Sequence, residues 1–450
     1  MKALWEVFGF SETPYNKKPL EMNENDFLLF TGRKDQSASF LSQFDQPNGC
    51  VLVVSGGPGI GKTSFINTQQ YIIEENKSLV SQKPIPCYKR TPAQPSDDSL
   101  SIARRVVHNT LDNITLHCKK PGNKKLPDEL KELSKWMSHQ ADDGGCNFDI
   151  LGTFGFGFNN IPINVNDATL ENWHEILTII KEVCIKKLDR DGFTVIIDNV
   201  EVYQLEDLAK ILMSFRDTLF DIDNIWWIVV GQANLFSELS AHDTRISERI
   251  EGAGIEIPPL SAQELHDMVQ KRIRAAQNKE DAMNPLSENI HQHLYDASRG
   301  VARFVLDTAN NLILRISKIA NKAVSELDSA SPEVLNQVFL KVLQKMLFEK
   351  QINDSISLDQ LGELSIDILS KYKLNNSDIS LIKHIGLNTA NNLDHNTLGY
   401  DSIDEFRAGI EKLIQKKVLH TFHTNDDLQY ELLNYGYLAV KLDVIDQIDF

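Results

Sequence analysis

The fold class of this 450-residue chain is decided by the stretch Gly56-Gly57-Pro58-Gly59-Ile60-Gly61-Lys62-Thr63. An apolar run, Cys50–Val54, precedes it and is typical of a buried strand, and a helical pattern follows from Thr63. Glycine backbone N–H groups can wrap phosphate oxygens, and a helix N-terminus attracts negative charge. The spacing GxxxxGK[ST], between a strand and a helix, therefore predicts a site for ATP or GTP.

Each part of the loop has a predicted role. We expect Lys62 to reach the β- and γ-phosphates and the Thr63 hydroxyl to bind Mg²⁺. The remaining predicted contacts to the nucleotide come from Gly56, Gly57, Pro58, Gly59, Ile60, Gly61 and Ser64.

A second apolar run, Phe193–Ile197, ends at a carboxylate, Asp198, which we expect to be the other Mg²⁺ ligand. A strand directly beside the loop strand would bring this carboxylate close to the metal. A third run, Ile225–Val230, completes a pattern of buried strands alternating with helices, which indicates a parallel sheet covered on both faces. A further strand is predicted around Pro84–Tyr88.

Composition limits the function classes. The net charge of −17 argues against non-specific coating of nucleic acid, which needs a basic surface. The five cysteines are scattered without metal-ligand spacing, so we expect reduced thiols. The first residues lack the apolar core of a signal peptide, and no apolar run is long enough for a membrane span. A cytoplasmic location is predicted.

Polar residues after the apolar strands are candidate catalytic groups. In many ATPases a glutamate directly follows the metal-binding aspartate and polarises the attacking water, but here Asn199 occupies that place and cannot act as a base. Glu201 is the candidate substitute, and a solvated surface role is the alternative. Asn234, just past the third strand, is placed to reach the γ-phosphate or to position water.

Taken in order, these motifs resemble the AAA+ ATPases, and within them the origin-recognition-type replication initiators and their bacterial relatives. The resemblance covers about residues 25–320. It implies that Arg33, in a Gly-Arg box, lies near the adenine pocket, and that Asn234 and Arg303 sense the γ-phosphate. It further implies that Arg245 is an arginine finger acting on a neighbouring subunit, with Arg249 as its competitor. Signal-transduction ATPases of apoptotic and plant-immunity type share the Gly-Arg box.

The predicted fold is an α/β P-loop core of AAA+ type with a parallel sheet, a helical lid and a C-terminal winged-helix-like domain. The predicted boundaries are 1–48 for an N-terminal segment with the Gly-Arg box, 49–260 for the core, 261–350 for the lid and 351–450 for the last domain. An insert covers about residues 92–170. Within it, a Gly/Phe-rich stretch at 144–166 has the alternation of a β-hairpin.

The last domain has the order of a winged helix, three helices followed by a hairpin. Residues 351–450 carry 16 Asp+Glu against 8 Lys+Arg, a net of −8. A helix that reads a DNA groove normally lies in a basic field. The charge therefore favours protein docking or packing over DNA reading, with DNA binding kept as the alternative.

These expectations combine into an ATP- and Mg²⁺-dependent switch that hydrolyses ATP, slowly if Asn199 is decisive. We expect a homo-oligomer that recruits or activates a separate effector protein, as in bacterial antiviral defence or transposition modules. One alternative is a DNA-binding loader of replication-initiator or transposition type. The other is an ATP-bound structural subunit that does not hydrolyse its nucleotide.

Overall fold

The computed structural model describes residues 2–46, 48–78, 80–138, 165–248, 250, 254–280, 282–325, 332–348, 350–387, 393–424 and 427–448. The chain divides into two compact units. Residues 19–258 form the first, called here the α/β unit. Residues 1–18 and 259–450 together form the second, called here the helical unit. The predicted Gly/Phe hairpin at 144–166 lies almost wholly outside the described residues.

Up to residue 258 the helices are α1 (Lys2–Val7), α2 (Glu24–Leu29), α3 (Lys34–Ser42), α4 (Lys62–Glu74), α5 (Ser99–Cys118), α6 (Asp128–Ser138), α7 (Leu170–Leu188), α8 (Leu205–Arg216), α9 (Leu235–His242) and α10 (Thr244–Ser247). The strands are β1 (Gly49–Ser55), β2 (Thr91–Pro92), β3 (Phe193–Asp198), β4 (Ile225–Val230) and β5 (Ile255–Glu256).

These strands form one parallel sheet in the order β2-β3-β4-β1-β5. All five strands run the same way, so their carboxyl ends lie at one edge, where the stretch Gly56–Thr63, called here the glycine loop, follows β1. The predicted parallel sheet is confirmed. The expectation that the Asp198 strand lies directly beside β1 is wrong, because β4 pairs with both β1 and β3 and separates them.

The central strand β4 shows why both faces of the sheet are apolar. Successive side chains of a strand point to opposite faces. On one face Trp226 stacks on Phe44 with ring centroids 5.6 Å apart, and on the other Trp227 packs edge-on against Phe220 at 5.2 Å. Both tryptophans are at most 1% exposed, so each contributes a large apolar area to the core on its own side of the sheet.

From residue 259 the helices are α11 (Ala262–Ala276), α12 (Glu288–Ser298), α13 (Ala302–Ser325), α14 (Pro332–Phe348), α15 (Lys350–Ser370), α16 (Asn376–Leu387), α17 (Ile403–Gln415) and α18 (Asn434–Lys441). Strands β6 (Leu419–Thr424) and β7 (Asp427–Leu432) form an antiparallel hairpin between α17 and α18. Helices α15, α16 and α17 followed by this hairpin give the predicted winged-helix order, with one further helix after it. The predicted fold class is thus confirmed.

Residues 2–18 pack into the helical unit. Trp5, Phe8, Phe10 and Tyr15 are each at most 3% exposed and join the apolar cluster built by α11, α12 and α13. The Ser11 N–H donates to the carbonyl oxygen of Ala276 at 2.9 Å, so backbone pairing holds the segment as well. The predicted N-terminal segment 1–48 is therefore divided between the two units at residue 18. The further boundary at 350 stays a prediction.

Tyr15 anchors this segment to a buried histidine, His291, whose protonation makes stability depend on pH. Its hydroxyl lies 2.9 Å from Nε2 of His291, which is 1% exposed, and burial lowers the pKa of His291 to about 4. In the unfolded chain a histidine takes up a proton near pH 6.5, whereas in the folded protein His291 stays neutral down to about pH 4. The free energy of unfolding is therefore highest above pH 6.5 and decreases as the pH falls toward 4, because only the unfolded chain gains this proton.

We expect the free energy of unfolding of the helical unit to fall by about 2 to 3 kcal/mol between pH 6.5 and pH 4 because of His291. Urea titrations across that range would measure the slope, and His291→Gln should flatten it, since glutamine has no proton to gain. An unchanged slope in His291→Gln would contradict the assignment.

Among the described residues, no helix combines the length and apolar character needed to cross a membrane. The four described cysteines, Cys50, Cys87, Cys118 and Cys184, are free thiols.

Candidate functional site

The glycine loop joins β1 to α4 in a backbone conformation that favours glycine. Gly56, Gly59 and Gly61 have φ values of 154°, 81° and 103°, in the region that favours glycine. A Cβ on Gly56 would lie 2.9 Å from the carbonyl oxygen of Ile257. Because α4 begins at Lys62, the loop leads directly into a helix N-terminus, which favours a bound anion. The predicted strand, loop and helix are all present.

Lys62 lies folded over the loop. Its Nζ donates to the carbonyl oxygens of Gly56 at 2.7 Å and Gly57 at 3.4 Å. The ammonium group is thus held above the loop that is predicted to cradle phosphates. Ionised phosphate oxygens are stronger acceptors than these carbonyls, so a bound nucleotide can take the ammonium over.

Arg33, predicted from the Gly-Arg box, contacts the loop directly. It is 7% exposed, and its Nη2 donates to the carbonyl oxygen of Ile60. The other guanidinium nitrogen, Nη1, approaches so closely that a Cβ on Gly61 would be only 3.2 Å away. Arg33 therefore fixes the shape of the loop, and its contact with a nucleotide stays a prediction.

Arg90, which no sequence motif indicated, contacts both residues that are predicted to bind Mg²⁺. Nη1 of Arg90 lies 2.9 Å from Oδ2 of Asp198, and Nη2 donates to the carbonyl oxygen of Thr63 at 3.0 Å. One guanidinium thus spans from the end of β3 to the first turn of α4. Arg90 directly precedes β2, whose two residues carry no recognisable strand pattern, and this is why the sequence did not reveal it.

The donors around this point fit Mg²⁺. A carboxylate and a hydroxyl are hard oxygen ligands, and Mg²⁺ in nucleotide sites is usually held by one or two such groups together with the phosphates. A cationic group already bridges Asp198 to the Thr63 backbone, which shows that this position accepts positive charge. Among the described residues no group of three or more His, Cys, Asp or Glu side chains could hold a metal ion.

The residues after Asp198 form a tight turn. Asn199 is exposed, has φ 61°, and donates its N–H to Oδ1 of Asp198 at 2.9 Å. Glu201 is exposed within the short 3₁₀ turn Val200–Val202. The turn therefore sets the direction of the Asp198 carboxylate, while the catalytic roles of Asn199 and Glu201 stay predictions.

Asn234 lies close to the end of β1, because β4 is the direct neighbour of that strand. Its N–H donates to Oε2 of Glu256 at 3.3 Å, and the Ser55 hydroxyl donates to the same oxygen. Glu256 thus connects the residue before the glycine loop to the loop that carries Asn234. No sequence motif indicated Glu256, since the edge strand around it shows only the short alternation Ile255-Glu256-Ile257.

The two remaining arginines are both exposed. Arg245 has 63% of its side chain exposed on α10, and its guanidinium is paired with Asp243, with Nη2 to Oδ2 at 2.7 Å. Hydrogen bonds from Arg245 lower the pKa of Asp243 to about 2. Arg303 is exposed at the second position of α13 in the helical unit. Their roles as finger and sensor stay predictions, and Arg249 lies outside the described residues.

Comparison with known proteins gives three findings. No protein-family model matches the chain. An uncharacterised HTH-type transcriptional regulator of Methanocaldococcus jannaschii is 22% identical over 362 residues, which cover 78% of this chain and 81% of that protein. The ORC2 protein of Aeropyrum pernix, solved as ADPNP–ADP complexes, is similar over 98% of both chains with 13% identity and a TM-score of 0.44.

Two further solved structures belong to the same group of proteins. The Aeropyrum pernix ORC1 protein in complex with DNA matches 94% of this chain and 96% of its own, with 13% identity and a TM-score of 0.41. The CDC6P protein of Pyrobaculum aerophilum matches 99% and 98%, with 13% identity and a TM-score of 0.35. Origin-recognition proteins are thus among the structures this chain is similar to, as its motifs predicted. All three TM-scores are below 0.5, so the functional conclusions below rest on the chain's own geometry.

Proposed function

We propose that the protein is a nucleotide-dependent switch of AAA+ type that binds ATP with Mg²⁺ at the glycine loop. The observation that carries the proposal is the loop itself: three positive-φ glycines between a parallel strand and a helix that begins at Lys62. Lys62 would bind the phosphates, and Thr63 and Asp198 would hold Mg²⁺. The metal would supply positive charge that neutralises the phosphates.

Slow hydrolysis is part of the proposal. Asn199 is an amide and cannot take a proton from water, so Glu201 would have to act as the base. Asn234, connected through Glu256 to the end of β1, would orient a water or a phosphate oxygen. A subunit that binds ATP without turning it over is the alternative, and phosphate release distinguishes the two.

Arg245 is the residue through which we expect copies of this chain to assemble. Its guanidinium is exposed and paired with Asp243, two residues earlier, in a position where water screens the pair. A partner offering a phosphate could therefore take the guanidinium over at little cost. We propose that Arg245 completes the site of a neighbouring copy, so that bound ATP promotes a homo-oligomer.

The output of the switch would be a separate effector protein rather than DNA. On α17, the candidate recognition helix, Lys412 donates to Oδ2 of Asp378 at 2.7 Å, and Asp378 is 1% exposed. Lys416 lies 5.5 Å from the ring centroid of Tyr372. These cations are used within the domain, whereas Ile403 and Leu428 are 52% and 46% exposed. A surface with this balance suits protein docking, and recruitment in antiviral defence or transposition is the pathway we propose.

The test is to measure the mass of the assembly and the release of phosphate with ATP and Mg²⁺, with and without duplex DNA. The wild type is expected to assemble on ATP without DNA and to release phosphate slowly. Arg245→Ala should keep ATP binding but lose assembly and turnover. Lys210→Ala, which removes an equal charge by breaking an exposed pair with Asp207 in the same unit, is the control and should behave as wild type.

Three results would change the proposal. Assembly that requires DNA and weakens steeply with salt would favour the loader alternative. ATP binding without any phosphate release would favour the structural subunit. Assembly of Arg245→Ala equal to that of the wild type would remove the finger role.

A further inference from the structure

Arg90 makes a set of contacts that an ordinary surface arginine does not make. Besides its pair with Asp198 at 2.9 Å and its bond to the Thr63 carbonyl at 3.0 Å, Nη2 donates to Oδ1 of Asn67 at 2.7 Å. Its side chain is 14% exposed and that of Asp198 is 15% exposed. The pair is therefore largely shielded from water, where electrostatic interactions are stronger than on the surface.

The backbone around Arg90 is fixed. Pro92 pairs with Asp198 in the sheet, and the Ala93 N–H donates to the carbonyl oxygen of Asp198 at 2.8 Å. The side-chain amide of Asn109 donates to the Arg90 carbonyl oxygen at 3.2 Å. Arg90 is thus built into the sheet edge beside Asp198.

Both oxygens of Asp198 are engaged: Oδ2 faces Arg90, and Oδ1 accepts the N–H of Asn199. Each carboxylate oxygen has two lone pairs, so a metal ion bound here has either to share an oxygen with one of these partners or to take its place. The Asn199 N–H follows directly in the chain and cannot move away, whereas the guanidinium is at the end of a long side chain. Like charges repel strongly in a shielded site, so Mg²⁺ and the guanidinium compete for Oδ2.

We propose that Arg90 is an internal counter-ion of Asp198 that Mg²⁺ displaces when nucleotide binds, so that Arg90 sets how much Mg²⁺ the site requires. The inference rests on the proposed ATP–Mg²⁺ site. The bonds from Nη2 to Thr63 and Asn67 use the other guanidinium nitrogen, so Arg90 can release Asp198 while it stays attached to α4. Arg90 is in this sense a positioning residue for the metal ligand.

The experiment is a MgCl₂ titration of the binding of a fluorescent N-methylanthraniloyl ATP, starting in EDTA. In Arg90→Ala the Mg²⁺ concentration at half-saturation should fall about tenfold, equivalent to about 1.4 kcal/mol, because the competing cation is gone. Arg90→Lys keeps the charge without the planar guanidinium, so its Mg²⁺ concentration at half-saturation should lie between those of Arg90→Ala and the wild type. If Arg90→Ala fails to fold, Arg90→Lys alone still decides the direction.

The matched control is Arg105→Ala. Arg105 forms a two-point pair with Asp97, with both nitrogen–oxygen distances at 2.6 Å, in the same unit. It should leave the Mg²⁺ dependence unchanged. The second readout is the melting temperature. In EDTA the melting temperature of Arg90→Ala should be lower than that of the wild type, and saturating Mg²⁺ with ATP should reduce this difference.

The outcomes separate the two proposals. Nucleotide binding with the same Mg²⁺ dependence in the wild type and both Arg90 variants would overturn this inference alone, leaving Arg90 a structural residue. Binding in EDTA by the wild type that Arg90→Ala loses would also overturn it, because Arg90 would then replace the metal. No nucleotide binding by the wild type would overturn the proposed function, and the inference with it.

Discussion

Lys62→Ala is expected to lower the affinity for ATP by about a hundredfold or more. Each charge-assisted hydrogen bond contributes about 1.5–3 kcal/mol, and about 1.4 kcal/mol corresponds to a factor of ten in affinity. The ammonium group already lies over the loop, on the Gly56 carbonyl at 2.7 Å, so it is positioned before any ligand arrives. The side chain is only half-buried, and the substitution should leave the fold intact. Fluorescent-ATP titration measures the affinity, and circular dichroism checks the fold.

The control for this variant is Lys89→Ala. Lys89 lies on the same unit, 51% exposed and paired with Asp112 at 2.6 Å, so its loss removes an equal charge from the surface. It should bind ATP as the wild type does. Wild-type affinity in Lys62→Ala would show that the glycine loop is not the nucleotide site, whatever the loop's geometry.

Gly192→Ala is expected to give the largest loss of stability, about 3 to 5 kcal/mol, from backbone strain and overpacking of about 1–3 kcal/mol each. Gly192 has φ 128°, and a Cβ there would lie 1.8 Å from the carbonyl oxygen of Asn224. That oxygen accepts the N–H of Phe193, the first residue of β3. The added methyl group would therefore push apart the starts of β3 and β4. Urea titration of the unfolding free energy is the measurement.

Gly122→Ala separates strain from the clash. Gly122 has φ 85°, but a Cβ there would meet nothing within 4 Å. Only the backbone cost remains, about 1 kcal/mol. If the two variants lose equal stability, steric contact with Asn224 is not the cause, and the approach of the two strand starts is less tight than described.

The strands that sequence predicted best are those with continuous apolar runs. The runs at 50–54, 193–198 and 225–230 correspond to β1, β3 and β4, because a strand buried on both faces has to be apolar throughout. The strand predicted around Pro84–Tyr88 is wrong: only Ile85 makes an isolated bridge there, and β2 is Thr91–Pro92. Two residues carry no periodicity that a pattern could detect.

The candidate site also has one part that the sequence predicted and one part that it did not. Its local part, Gly56–Thr63, follows from spacing, since one loop supplies all of it. The contacts of Asp198 with Arg90, and of Ser55 with Glu256, join residues far apart in sequence, 108 positions in the first pair and 201 in the second. No local pattern reports such pairs. They depend on which strands are neighbours, and the order expected from the sequence, with the Asp198 strand directly beside β1, is wrong.

The packing of residues 2–18 into the helical unit has a consequence for synthesis. A ribosome makes these residues before the α/β unit, but the helices that bury Trp5, Phe8 and Phe10 come only after residue 258. The complete α/β unit is made in between and can fold as translation proceeds. Until then three large aromatic side chains have no core to enter, and this nascent segment is where a chaperone would be expected to bind.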